Sequence, residues 1–447
     1  MKFHIQDKVC KLFTPNNLQA IAVRSGFYQR SSKFLPFAFF DVLLQGASVN
    51  GPVSLARYSG DAALNHSVSI TKQALDDRFD DTAVAFVKEI LDEVMANQID
   101  LPFDPRFLER FKSVKIKDST RFDLPERLKE SFPGFGGKIT SEAGAAIQYE
   151  FDLKTRRLVD LDITSALKTD IQDAQEKGAG IEEGELIIRD LGYFSSRAIL
   201  GVIQQKGFFL SRLRARMDVF DESQQEVSFA MMYDRMVKSR KAQLHMQATI
   251  GCAERIPVRL LVEIVPEKVY QERIRRREKE NRKKGCAMSE EFRSRARFNL
   301  MVTNVPEEDL PVENIYKLYK TRWQIELIFK VWKSVMGMDK IHPMKYSRLM
   351  CLLYAKLILF LVNGQVAGLL ARMLYAKEKK LLSMDKCLKT LQLYFGRTRD
   401  ILIADRCRLT DYVQAMHRLL SKNHWLEKRK KGVGFSEIFN LFSCMSG

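Results

Sequence analysis

The sequence predicts an α/β protein in which a mixed sheet is flanked by helical N- and C-terminal regions. Three observations lead to that class. Runs at 113–116, 146–153 and 158–163 alternate or are rich in β-formers, and helix and strand then alternate as far as residue 213. The first hundred residues and the last seventy carry helical periodicity instead. Between 214 and 297 the layered pattern breaks, then a strand and a long helix resume, which is how an insertion inside a domain reads.

Taken in order, residues 76–96 (DDRFDDTAVAFVKEILDEVMA) form the strongest helical run of the N-terminal region, and Pro102 and Pro105 mark its boundary. Turn signals at 133–137 and at Lys154-Thr155 divide a three-stranded meander. A short polar helix over 170–177 leads to a compact apolar strand at 185–188 that ends in Arg189-Asp190. A helix over 194–205 and a strand over 208–213 follow. In the interruption, strands at 243–250 and 258–265 precede a highly charged helix over 267–284, which Gly285 can terminate. A strand returns at 298–305, and one long helix is expected over 312–336.

Composition narrows the function. The chain has 447 residues, 46% of them hydrophobic, with 73 Lys and Arg against 55 Asp and Glu, a net charge of +18. At roughly 100 to 200 residues per domain this is about three domains, which excludes a disulfide-stapled miniprotein and a disordered tail. The cation excess points to a polyanion, nucleic acid first and an anionic membrane second. The N-terminus does not read as a signal peptide. The most apolar stretch, 349–373, is interrupted by Lys356, Asn363, Gln365 and Arg372, and its longest charge-free run falls short of the roughly 18 to 20 residues of a span, so it reads as a buried helix. Seven scattered cysteines with no CxxC, and six histidines without metal spacing, indicate neither zinc nor a disulfide framework; a reducing cytoplasm fits best.

One helix carries most of the functional information. In the segment Tyr319-Lys-Thr-Arg-Trp-Gln-Ile-Glu-Leu-Ile-Phe-Lys-Val-Trp-Lys333, a rotation of about 100° per residue places Tyr319, Arg322, Glu326, Lys330 and Lys333 on one narrow face. An ordinary solvated stripe, with Glu326 paired to Arg322 and Lys330, is the plain alternative. Glu326 and Lys330 are, however, the only polar residues between Ile325 and Trp332, so the rest of this half-helix belongs to a core and the charged stripe should line a polar cleft. One carboxylate among cations, with a phenol alongside, suits a metal ligand next to phosphate-binding side chains.

The spacing Tyr319-x2-Arg322-x3-Glu326-x6-Lys333 resembles the Tyr-Arg-Glu-Lys signature of DDE transposases of the bacterial insertion-sequence family four type, and the adjacent Trp323 and Lys330 are similar to that family too. The resemblance implies a ribonuclease-H-like catalytic core with a β-rich insertion before the helix bearing the last acid. It also implies an Asp on the first core strand and another at the end of the fourth. Asp118, in Lys117-Asp118-Ser119-Thr120, is similar to the first motif, with Asp123, Asp160 and Asp162 as rivals; Asp190, in Arg189-Asp190-Leu191-Gly192-Tyr193, matches the second.

By the family's logic Asp118, Asp190 and Glu326 would hold two Mg²⁺ ions, for which Mn²⁺ can substitute, with Asp118 as the bridge. Tyr319, Arg322, Lys330 and Lys333, with Trp323, would contact DNA. The implied activity is cut-and-paste transposition: binding of the element's terminal inverted repeats, hydrolytic cleavage at its ends, and joining of the 3′-hydroxyls to target DNA. The implied setting is a homodimeric synaptic complex on the bacterial nucleoid, without a membrane. A catalytically inactive DNA-binding relative and a non-transposing nuclease of the same fold are the alternatives.

Relatives stack a flipped base on a tryptophan in the insertion. The tryptophans here, Trp323, Trp332 and Trp425, lie outside 214–297, so if a DNA hairpin forms a Phe, Tyr or Met such as Phe229 or Tyr233 must serve. A helix-turn-helix is a candidate over 53–79, with Lys72 and Gln73 early in its second helix. The basic helix over 267–284 is a candidate DNA clamp or a solvated helix, and the Gly134-Phe-Gly-Gly-Lys138 segment reads as a turn rather than a phosphate loop. The divisions are then 1–112, helical and DNA-binding; 113–213, first part of the core; 214–297, insertion; 298–376, second part of the core; and 377–447, helical with a basic tail at 428–432.

Overall fold

The computed structural model describes residues 11–98, 108–137, 140–155, 157–177, 180–402 and 409–425. The expected boundary at Pro102 and Pro105 and the basic tail at 428–432 lie outside the described residues.

Five helices open the chain: α1 (Pro15–Arg24), α2 (Pro36–Ala47), α3 (Leu55–His66), α4 (Lys72–Asp77) and α5 (Asp81–Ala96). Local chemistry sets most of their starts. The side chains of Thr14, Ser54, Thr71 and Asp80 each accept from the backbone amide three residues on. Asp80 divides the helical run expected over 76–96, because its carboxylate caps α5 and so ends continuity with α4.

One sheet holds nine strands: β1 (Val114–Leu124), β2 (Ala143–Asp152), β3 (Leu158–Ser165), β4 (Leu186–Arg189), β5 (Phe208–Arg212), β6 (Val219–Phe220), β7 (Gln243–Ile250), β8 (Ile256–Ile264) and β9 (Phe298–Thr303). Their order is β3-β2-β1-β4-β5-β9-β8-β7-β6. The meander β1-β2-β3 is antiparallel, β4 runs parallel to β1 and β5 parallel to β4, and β9 returns antiparallel to β5. The interruption is not simply β-rich. It contains α8 (Phe229–Lys238), α9 (Glu267–Lys284) and α10 (Glu290–Ala296), and β8 pairs along β9 so that β6 to β8 extend the core sheet. The sequence reading has no element at 229–238, although Ser228 there caps α8 through Met231.

Strand alternation gives the sheet two cores. On one face Ile116, Leu186, Ile188 and Leu210 join a large cluster shared with α1 to α5 and the helices that follow the sheet. On the other, Ile187 and Phe209 pack with Ile199 and Val202 of α7 (Ser196–Gln204). The later helices are α11 (Val312–Lys320), α12 (Trp323–Ser334), α13 (Tyr346–Glu378), α14 (Met384–Leu393), α15 (Phe395–Leu402) and α16 (Leu409–Asn423). By length and composition α13 resembles a membrane span. It is instead the central helix of the large core, packed on α2, α5, α14 and α16. Its buried Lys356 donates to the carbonyls of Ala47, Val49 and Met336, and burial lowers that ammonium's pKa to about 8.

Candidate active site

Asp118 lies within β1, not past its end as the sequence suggested, and shares the face of Ile116 and Phe122. Asp190 follows β4 directly and continues the face of Leu186 and Ile188. The last registered pair of the two parallel strands is Lys117 with Arg189, so the next residues on each chain are these two acids. At a spacing of about 4.8 Å between strands, pairing alone brings them side by side.

The helix expected over 312–336 is broken at the signature. α11 stops at Lys320 and α12 starts at Trp323. In the joint, the amides of Thr321 and Arg322 bond three residues back, to Leu318 and Tyr319, and the Thr321 hydroxyl donates to the Leu318 carbonyl at 2.6 Å. A buried threonine that takes a backbone carbonyl in this way bends a helix. Tyr319 therefore stands on α11, Arg322 at the joint, and Glu326, Lys330 and Lys333 on α12. The five side chains do not form the single straight stripe read from the sequence.

The bend aims Arg322 at the acids. Its guanidinium is 2.5 Å from Asp118 Oδ2, 2.9 Å from Glu326 Oε1 and 3.6 Å from Asp190 Oδ1. Three carboxylates from three separate elements thus share one cation. Burial raises the Asp118 pKa to about 6; Arg322 and the Ser119 amide oppose that rise, while Asp190 and Glu326 add to it. Tyr319 leans its ring toward Arg322, with the guanidinium carbon 5.9 Å from the centroid. Burial pushes its phenol up to about 12, and among the described residues its buried hydroxyl has no hydrogen-bond partner.

Lys333 reaches β1 and donates to the Arg121 carbonyl at 3.0 Å, whereas Lys330 is exposed. The side chain of Trp323 lies outside the described residues. The rival acids are placed elsewhere: Asp160 pairs with Lys117 and Lys177, Asp162 lies near Lys168 and Lys177, and Asp123 is exposed near the end of β1.

Among the described residues no three acidic, His or Cys side chains close into a cation-sized cage, because the guanidinium stands between them. The donor set still suits divalent metal. Three hard carboxylate oxygens converge on positive charge, and one acid is pushed up partly by the other two.

Sequence reasoning missed the layer on the opposite face of β1. Asp170, first residue of α6 (Asp170–Glu176), accepts from Ser119 at 2.8 Å, Arg121 at 3.0 Å and Gln148 at 3.4 Å. Tyr193, three residues after Asp190, donates to Gln148 at 2.5 Å. The only linear signal was the Thr169 to Gln172 capping box, which explains a helix start without pointing to a site.

Other expected contacts are also redistributed. Phe229 is core and lies beneath Arg295, and Tyr233 is held by Arg297 and Phe298, so neither is free to stack a base. The second helix of the candidate helix-turn-helix is short. Lys72 and Gln73 are exposed at its start, while Asp76 binds it to Arg348 and Lys345 at the head of α13.

Known proteins share this arrangement of sequence. A family model described as the transposase DDE domain matches residues 109–362, more than half of the chain and all of the strands and helices that carry the acids. The transposase of insertion sequence element IS231B from Bacillus thuringiensis subsp. berliner is 26% identical over 435 residues, covering 93% of this chain and 91% of that protein. The IS231C transposase of the same organism is 26% identical, covering 96% and 95%. The IS1151 transposase of Clostridium perfringens is 25% identical, covering 88% and 87%. With the match spanning Asp118, Asp190 and Glu326 and the relatives aligned nearly end to end, the chain belongs to the DDE transposases of bacterial insertion sequences.

Proposed function

We propose that this transposase works by cut and paste. It binds the terminal inverted repeats of its own element, cleaves the ends by Mg²⁺-dependent hydrolysis and joins the freed 3′-hydroxyls to target DNA. The observation that carries the proposal is the convergence of Asp118, Asp190 and Glu326 on the Arg322 guanidinium. The strand order β3-β2-β1-β4-β5, with an antiparallel meander followed by two parallel strands, supports a ribonuclease-H-like core.

In the working site the three carboxylates would hold two divalent ions, with Asp118 between Asp190 and Glu326. When bound, such ions stabilise the attacking and leaving oxygens of an in-line phosphoryl displacement. The chain's own residues do the positioning. Arg322, released from the acids, has the planar fork that matches a phosphate, and the unpartnered Tyr319 hydroxyl is a donor beside it. Lys330 and Lys333 add point charges along α12. Lys72 and Gln73, exposed at the start of α4, are the residues proposed to read the repeat. Two copies of the chain would hold two ends together.

The test is incubation of purified protein with a labelled element end and a target plasmid in Mg²⁺. Joined products support transposition, cuts without joining indicate a nuclease, and binding without cuts indicates a repressor. Glu326→Gln should lower strand nicking by at least about a hundredfold while leaving end binding intact. Nicking by that variant at the wild-type rate would remove Glu326 from the site.

A further inference from the structure

The charged helix α9 has a packed side and an exposed side. Tyr270 and Ile274 pack into a small cluster with Val265 and Ala296, and Asn281 is buried on the same side. Arg273 anchors the helix, donating to the carbonyls of Ala296 and Phe298 at 3.0 and 2.7 Å and to Asn299 Oδ1 at 2.6 Å. Arg277 lies over the Phe292 ring, and Arg276 and Arg277 both pair with Glu280. At about 100° per residue, Lys268, Arg275, Lys279 and Arg282 fall within about 40° of one line, roughly opposite this packed side, with exposed Glu272 as the one acid in the same sector. All four are exposed, and among the described residues none has an ion pair. They span about 21 Å at 1.5 Å per residue.

The packed side of α9 is joined to the signature helices. Asn299, which holds Arg273, accepts through its carbonyl from the Tyr316 hydroxyl of α11 at 3.4 Å. Exposed Arg212, at the end of β5, acts electrostatically on both the Tyr319 phenol and Arg273. Arg212 thus adds positive charge between the Tyr319 phenol and Arg273 on the packed side of α9.

We propose that α9 is a clamp for duplex DNA, in which Lys268, Arg275, Lys279 and Arg282 hold backbone phosphates of the DNA leading to the carboxylate site. The proposal rests on the transposase reading above and adds a surface that reading does not use. A row of four unpaired cations against one acid, Glu272, keeps a net positive charge that fits the regular charge of a duplex, which carries one negative charge per about 1.7 Å of axis. A lipid surface fits poorly, because the apolar side of α9 is already spent on packing and leaves nothing to insert. Contacts of this kind read no bases, so the clamp is indifferent to sequence.

The experiment compares the full-length wild type with the combined variant Lys268→Gln, Arg275→Gln, Lys279→Gln and Arg282→Gln. Affinity is measured for an element-end duplex and for an unrelated duplex of equal length, between about 50 and 200 mM salt. The expected result is that the slope of log affinity against log salt loses about 3 to 4 on both duplexes, while thermal unfolding stays within a degree or so of wild type because all four side chains are exposed. The double variant Lys268→Arg with Lys279→Arg should keep the wild-type slope. A folded combined variant with the wild-type slope overturns the clamp alone, provided the wild type binds and cuts. Wild-type protein that binds anionic lipid vesicles but neither duplex overturns both the clamp and the transposase reading.

Discussion

Arg322 is the residue on which the site turns, because it is the side chain that meets all three acids. A half-buried carboxylate such as Asp118 is favoured by a cation nearby, and the guanidinium supplies one with the geometry a phosphate also wants. Behind the acids, Tyr193, Gln148 and Asp170 form a hydrogen-bonded chain that ties the turn after Asp190 to β2 and α6. Tyr193→Phe removes the donor and leaves the Gln148 oxygen unpaired in a site with no exposure. Urea unfolding should show a loss of about 1–3 kcal/mol. If this chain positions Asp190, the variant should also cleave about tenfold more slowly at saturating DNA and need more Mg²⁺, with DNA affinity unchanged. A stability loss with wild-type metal dependence would reduce Tyr193 to a packing role.

Among the elements, the bend between α11 and α12 and the contact between α2 and α3 show how a single side chain sets geometry. Thr321 gives up regular helix hydrogen bonding, and the bend that results carries Arg322 toward the strands. At the other contact, Gly46 of α2 lies against the ring of Tyr58 on α3, and a Cβ there would stand 2.2 Å from Cε1 and 2.3 Å from the hydroxyl. The ring is buried and cannot yield without moving α3. Gly46→Ala should therefore destabilise by about 1–3 kcal/mol in chemical denaturation. Combining it with Tyr58→Ala should give less than the sum of the two single losses; strict additivity would place the strain elsewhere.

Across the whole molecule, the helices at the two ends of the chain are joined by one buried charge cluster. Asp41 of α2 has no exposure and is held by Arg399 of α15 through two bonds of 2.6 Å, by His66 of α3 at 2.6 Å and by Gln45 at 3.0 Å. Burial alone would raise its pKa, but Arg399 and His66 outweigh burial and hold it below the ordinary 3.8. A carboxylate depressed in the folded state contributes stability above its unfolded value and loses it as pH falls through the folded value. Arg399→Met should cost about 3–5 kcal/mol near pH 7, and the difference from wild type should shrink as pH falls below about 4. A difference that stays constant from pH 7 to pH 3 would mean the cluster is not the source.

At this scale the boundary between what was legible and what was not becomes clear. Most strands of the core and the full length of α9 follow from periodicity, which each segment expresses by itself, and the buried character of α13 from its polar interruptions, whereas β1 runs on past 116 to Leu124. The types and spacing of Tyr319, Arg322, Glu326 and Lys333 were likewise readable, as was an acid just past an apolar strand at Asp190. Phe229, a candidate base-stacking aromatic by sequence, is buried in the core, and Asp170 and Arg212 had no linear mark that pointed to a site. The sequence by itself determined which residues carry charge and which faces are apolar, because those depend on side-chain chemistry and local dihedral period. Only the tertiary structure decided that Asp118 stands beside Asp190, that Arg322 closes on both, and that Arg212 acts on both Tyr319 and Arg273 of α9. Parallel strand register, a helix bend and through-space charge join residues tens to hundreds of positions apart, and no local period records such a pairing.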